Sequence, residues 1–489
     1  MKKQGKKNKK GNSNNRLAFF ILLVAASLQM SCNKLVEVAD PPTLPDADIV
    51  YKNDATATAV LTGIYTQLAG FDGGVATGSS SISLLTGLSA DELTAYSSSG
   101  SQKIQIYHNA LTSNAPYPGV PFWSSLYAFI YATNTAIEGI NSSSSLSLAV
   151  KNQLLGEAKF MRAFFYFYLV NLWGDVPLIT TTNYQSSSLA GRSPKADVWL
   201  QIIKDLKDAQ GLLNTDYLAL DLKTITTERV RPNKWAATAL LARAYLYTGD
   251  YVNAEKQSSM IINTSSMYNL IDLNSVFLSN SNEAIWQLQS ISLGWNTQDA
   301  RTFILTSAPN FTKPVSVSNN LISAFESNDQ RLVNWIGNII VNAKTYYFPY
   351  KYKSATQDDP VVEYLMVFRL AEQYLIRAEA EANSAGGGIN AAIVDLNIIR
   401  NRAQLPDYMG AADKSSILTA ILHERQVELF TEWGHRWLDL KRTGSIDAVM
   451  SVVTPQKGGV WNSNWQLYPI PLVDIQRDPA LTGKQNPGY

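Results

Sequence analysis

Two groups of residues set aromatic rings beside carboxylates, amides and a guanidinium: Phe71 and Asp72 with Asp91, Glu92 and Tyr96, and Trp295 and Asn296 with Gln298, Asp299 and Arg301. A ring face packs against the C–H face of a sugar, while the polar groups exchange hydrogen bonds with its hydroxyls. Both groups fall in stretches without helical period, and loops on a rigid scaffold are where binding residues concentrate. Asp91 and Glu92 also supply the two acids that glycoside hydrolysis needs, although neighbours in a loop need not face one site. Other chemistry finds little material. His423 and Glu424 begin like a zinc-protease helix, but Val427 stands where the second histidine belongs. No GxxxxGK[ST], GxGxxG or GxSxG motif occurs, and His108, His423 and His435 are scattered. The expectation is a non-enzyme with no cofactor and no metal site.

Cys32 is the chain's one cysteine, which excludes a disulfide framework and a CxxC redox centre. It follows a basic segment and a twelve-residue apolar run at 17–28, the length of a signal-peptide core and too short to span hydrocarbon. The pattern predicts an export signal at 1–31 and lipid attachment at Cys32, although Leu28 lies four residues before the cysteine where three is usual. Ordinary cleavage to a soluble secreted product is the alternative. Several acyl chains would hold the protein on a membrane without a spanning segment. Seven basic residues precede Cys32; removing them from 41 Lys and Arg leaves 34 against 40 Asp and Glu, a formal charge of −6. No basic stripe remains for nucleic acid.

The positioning elements are helices. Pro41, Pro42 and Pro45 keep a tether at 32–54 extended. Helical spacing then appears at Val60, Leu61, Ile64, Tyr65 and Leu68, along 122–140, and along 154–173, where Ala158 and Ala163 alternate with Phe160, Phe164, Phe165, Phe167 and Tyr168 as core. The segment LLARAYLYTGDYVNA at 240–254 resembles a tetratricopeptide unit, two helices turned by Gly249; 372–402 reads as a second copy turned at 386–388. Residues 283–289 alternate as a short strand. The stretch 70–117 has loop composition, and 290–352 reads as irregular structure with minor strands. The fold class is therefore mainly α: a tetratricopeptide-like scaffold at about 55–70, 120–175, 230–265 and 365–445 in one domain, 55–489, with insertions at about 70–117 and 287–360.

Five ordered motifs carry a resemblance: EAKFMRA (157–163) with LWGDVPL (172–178), FRLAEQYLIRAEA (368–380) with LNIIRNR (396–402), ERQVEL (424–429) with GHRWLDLKRTG (434–444), YPIP (468–471), and QNPGY (485–489). Together with Cys32 and its tether they resemble the SusD-like (RagB/SusD) nutrient-uptake lipoproteins of the Bacteroidota outer membrane. The resemblance implies a SusD-like fold, anchored in outer-membrane lipid through acylated Cys32 and facing the cell exterior. It implies a SusC-like TonB-dependent transporter as partner, to which an oligosaccharide or other nutrient is delivered. Ligand contacts would come from the two insertions, by region only. The motifs themselves read as scaffold: Glu424, Arg425, Glu428, Arg436, Asp439 and Arg442 have the i,i+3 and i,i+4 spacing of ion pairs. A scaffold that binds only proteins and a secreted glycoside hydrolase remain the alternatives.

Overall fold

The computed structural model describes residues 47–70, 74–98, 101–113, 122–383 and 386–489. The expected leader, Cys32, most of the tether, Phe71 and Asp72 lie outside the described residues. The chain divides into two units, Met1–Ile49 and Val50–Tyr489, and the second is described here.

Helix α1 (Asp54–Ala69) begins where the Asn53 side chain accepts the Thr56 N–H, and it buries Leu61, Ile64, Tyr65 and Leu68. The stretch expected as loop at 70–117 is more ordered than that. It holds α2 (Ile82–Ser89), β1 (Leu93–Ala95) and α3 (Ser101–Tyr107). Ser81 caps α2 by accepting the Leu84 N–H at 3.2 Å, and Ile82, Leu84, Leu85 and Leu88 are all buried. Next come α4 (Phe122–Ser142), α5 (Leu148–Trp173), the paired strands β2 (Val176–Pro177) and β3 (Arg192–Ser193), α6 (Lys195–Leu212), α7 (Lys234–Tyr247) and α8 (Tyr251–Ile262). Gly174, at φ 75°, ends α5, and Gly249, also at φ 75°, turns α7 into α8. Helix α6 was not anticipated, although Val198, Ile202, Leu206 and Ala209 form its buried stripe.

The second insertion leaves the scaffold after β4 (Ala284–Leu288) and comprises α9 (Gln298–Phe303), β5 (Val315–Val317), α10 (Asn319–Ala324), α11 (Gln330–Trp335), β6 (Ile336–Val341) and β7 (Lys344–Pro349); β8 (Leu365–Arg369) then pairs back onto β4. The minor strands expected within 290–352 are β5 and the β6–β7 hairpin, whose six registered pairs run from Ile336↔Pro349 to Val341↔Lys344, while α9, α10 and α11 correct the irregular reading of the rest. Its two-residue turn puts Asn342 and Ala343 at positive φ, as a type I′ hairpin requires. The strand expected at 283–289 exists, but both of its faces are buried, with Gln287 satisfied by the Leu278 carbonyl and the Asn280 N–H. β1 pairs with β5, Leu93 opposite Val317, so the two insertions share one ladder.

The chain closes with α12 (Leu370–Ala382), α13 (Gly388–Arg402), α14 (Lys414–Leu429), α15 (His435–Arg442), α16 (Ile446–Gln456) and α17 (Leu472–Arg477). Packing runs α4 on α5, α5 on α6, α6 on α7, α7 on α8, α8 on α12, and α12 on α13 and α14. The two expected tetratricopeptide-like pairs, α7–α8 and α12–α13, are thus neighbours in one stack. The aromatic stripe of α5 is core: the Phe164 ring meets those of Trp286, Phe368 and Trp433 edge-on, at 5.6, 6.0 and 5.3 Å. The terminal motifs dock on the end of α5, where Trp173 Nε1 donates to the Pro469 carbonyl at 2.9 Å and Asn486 Nδ2 to the carbonyls of Trp173 and Tyr468.

The ion pairs expected around 424–442 form, but mostly across elements. Only Arg442 to Asp439 pairs at i,i+3. Arg425 binds Asp439, Arg442 binds Glu379, and Arg331 binds Asp329, Glu424 and Glu428. Glu428 also receives Arg369 and Arg402, and Arg369 continues to Glu283 and Glu432. Burial acts to raise the Glu428 pKa, but the three guanidiniums outweigh it and hold the carboxyl well below the usual range. Breaking such a pair strands buried charge. Glu428→Ala is expected to lower unfolding free energy by about 3–5 kcal/mol, read by urea denaturation; a loss under about 1 kcal/mol would contradict this role for the network.

Candidate ligand-binding cleft

Asp91 and Glu92, expected on an exposed loop, are buried, and this corrects the sequence reading. Asp91 makes a two-pronged ion pair with Arg436 at 2.8 and 2.7 Å. Glu92 is 1% exposed and accepts the Thr431 N–H at 3.4 Å. Burial, with the Asp91 charge beside it, pushes the Glu92 carboxyl up to about 8. The physical reason is their place between α2 and β1: one ladder residue later the strand is paired, and the carbonyls of Asp91 and Glu92 accept Ser318 Oγ–H and N–H at 2.5 and 2.9 Å. The pair offered for glycosidic chemistry is an internal brace.

The second group also divides. Asn296 is buried and spends its amide on the loop, donating to Pro360 O and Ser354 Oγ and accepting from the N–H groups of Val362 and Glu363. Asp299, not exposed either, is pushed up to about 7 by burial. Trp295 and Arg301 are half-buried and stack on each other, guanidinium to ring centroid 4.0 Å, so one face of the indole is covered by the chain's own cation. Gln298, half-buried, opens α9.

What the β1–β5 ladder brings together instead is a cleft of about 590 Å³. Thr94, Ala95, Tyr96 and Ser97 come from the first insertion; Ala308, Pro309, Ser316, Val317 and Asn319 from the middle of the second; Lys344, Thr345, Tyr346 and Tyr347 from the hairpin. Tyr96 is the expected site residue that lies here, and Trp295, Gln298 and Arg301 are not among the lining residues. The Tyr96 N–H donates to the Pro314 carbonyl at 2.7 Å, which extends the ladder and fixes the root of its side chain. Tyr96, Tyr346 and Tyr347 are half-buried, and the same lining holds Asn319 with its amide and Thr94, Ser97 and Thr345 with their hydroxyls. Lys344 Nζ stands 4.8 Å from the Tyr346 centroid. Rings flanked by hydroxyls and an amide are equipped to bind a polyhydroxylated ligand. Tyr346 and Tyr347 escaped the sequence reading, although the alternation around the Asn342 and Ala343 turn was the available signal.

His423 Nε2 lies 2.7 Å from the Ala324 carbonyl, and His435 is buried beside Arg425. Among the described residues no group of three or more His, Cys, Asp or Glu is placed to hold a metal ion, and no helix is long and apolar enough to cross a membrane.

Glu92 makes stability depend on pH. Burial pushes its carboxyl up to about 8 in the folded chain, from the 4.5 usual for a glutamate. Between those values the folded chain binds more protons than the unfolded one, so this group's contribution falls as pH rises through the window. Glu92→Gln is expected to flatten the loss of stability from pH 5.5 to 8 in urea titrations, while an equally steep loss in the variant would contradict the assignment.

Residues 50–246 match the model of a family described as starch-binding associating with outer membrane, and residues 336–489 match that of the SusD family. SusD-like protein P25 of Formosa agariphila is 27% identical over 431 residues, which covers 75% of this chain and 79% of that protein. Surface glycan-binding protein A from Bacteroides fluxus superposes with a TM-score of 0.73 at 22% identity, over 89% of this chain and 99% of that one. A laminarin binding SusD-like protein superposes with a TM-score of 0.71 at 24% identity, over 90% and 100%. Such structural likeness establishes the fold, and the two family matches together take in the first insertion, the β6–β7 hairpin, most of the helical stack and the terminal motifs that dock against it. The chain belongs to the SusD/RagB family.

Proposed function

We propose that this protein is a non-catalytic glycan receptor, anchored by lipid at Cys32 on the exterior of the outer membrane, that hands its ligand to a SusC-like TonB-dependent transporter. The observation that carries the reading is the cleft: three tyrosines, an asparagine and several hydroxyl-bearing residues line one open space framed by both insertions. Relatives support it, because one neighbour in fold is a laminarin binding protein and one matching family is described as starch-binding and associated with the outer membrane. The leader and Cys32 supply the anchoring part of the proposal. A binding role without catalysis fits a cleft that has no carboxylate among its described lining residues, while glycoside hydrolysis needs two. Trp295, Gln298, Arg301 and Asn296 stand outside this proposal.

Each stacking tyrosine contributes about 1 kcal/mol, or about fivefold in Kd. Tyr346→Ala and Tyr96→Ala, both half-buried in the native chain, are expected to weaken retention in glycan-impregnated native gels by that factor, measured relative to each variant's mobility in a glycan-free gel, with circular dichroism confirming that each is folded at the assay temperature. Full retention by both variants would remove the cleft from the account. Cys32→Ser is expected to move the protein from the membrane fraction to the culture fluid; continued membrane association would count against the lipid anchor.

A further inference from the structure

The cleft has one charged group among its described lining residues, Lys344. Its position is set by the backbone: it is the first residue of β7, opposite Val341 across the Asn342 and Ala343 turn. Its side chain is exposed, its Nζ stands over the Tyr346 ring, and it forms no salt bridge with a carboxylate among the described residues. The remaining polar groups of the lining are phenols, hydroxyls and an amide, all able to donate. A carboxylate or sulfate entering here meets an ammonium and several donors and no opposing acid, and ionised acceptors make the stronger hydrogen bonds. The chain beyond Cys32 carries an excess of acidic residues, with 34 basic against 40 acidic once the seven leader cations are removed. General surface attraction therefore does not favour a polyanion, and retention of one has to come from a local cation.

Resting on the glycan reading above, we infer that the cleft selects glycans carrying an anionic group, a uronate carboxylate or a sulfate ester, and that Lys344 is the residue that determines this preference. Tyr346 holds the ammonium by cation–π attraction within the lining that it shares with Tyr96 and Tyr347. The sugar face stacks on the rings while the anion meets Nζ.

The test uses the full-length lipoprotein in detergent and two matched pairs of probes: polygalacturonate with its carboxyl-reduced form, and a sulfated galactan with its desulfated form. The pairs separate a carboxylate from a sulfate ester as the recognised group. At least one anionic member is expected to bind about fivefold more tightly than its neutral partner, with the difference shrinking as salt is raised. Lys344→Gln is expected to bring that ratio to within about twofold, read as the ratio within each pair so that any change common to both members cancels. Equal binding of both members in both pairs, or a preference that survives in Lys344→Gln, overturns the charge selection and leaves the glycan reading standing. Binding of none of the four probes, nor of laminarin or starch, overturns both.

Discussion

Buried guanidinium–carboxylate pairing holds the roots of both insertions, and the shape of the cleft depends on it. From the second insertion, Arg331, itself held by Asp329, reaches Glu424 and Glu428 of α14, and Lys351 donates to Glu432 and to the carbonyls of Glu428 and Phe430. From the first, Asp91 reaches Arg436 of α15. The scaffold side is itself cross-tied, because Arg369 of β8 and Arg402 of α13 converge on Glu428 and Glu283. Desolvating so many charges is expensive, and the arrangement is tenable because the guanidiniums are met by several carboxylates at once. The reward is positional: the bases of the insertions are fixed while their outer residues remain free to carry ligand contacts.

The same economy appears where helices end. Lys457 Nζ donates to the carbonyls of Leu88, Ser89 and Ala90 at the end of α2, Lys441 to that of Asn171 near the end of α5, and Lys351 to the last turn of α14. Terminal carbonyls lack intrahelical partners and carry the negative end of the helix dipole, so a buried ammonium satisfies both. At α2 this brace lies directly before Asp91, and the ion pair to Arg436 continues it. A helix cap, an ion pair and the β1–β5 ladder therefore follow one another between Leu88 and Ala95, and Tyr96 stands at their end.

Much of the scaffold was legible because its signals are local. Apolar spacing marked α4 and α5, Gly249 marked the turn between α7 and α8, and the ordered motifs proved to lie on α5, α12, α13, α14, α15 and the C-terminal segment that docks on α5. The site was legible only by region. The chain's Ser- and Gly-rich composition at 70–117 concealed α2, although Ser81 and the apolar residues that follow it are a cap and a helix. Asp91 and Glu92 looked like surface acids because their partners, Arg436 and Thr431, lie more than three hundred residues away in sequence. Tyr96 was recoverable as an aromatic in a loop, whereas Lys344, Tyr346 and Tyr347 depend on a hairpin whose Asn-Ala turn lacks the usual glycine, and on a ladder between insertions that no local pattern announces.

The account thus makes one claim about function: ligand is held where the two insertions meet, and the helical stack serves as its mount. Amide hydrogen exchange on the mature protein, with and without a saturating glycan, tests this most directly. The account predicts added protection concentrated at 94–97, 308–319 and 344–347, with the helices α5, α7 and α12 unchanged. Protection centred on 290–303, or on the helical stack with the cleft unaffected, would contradict it.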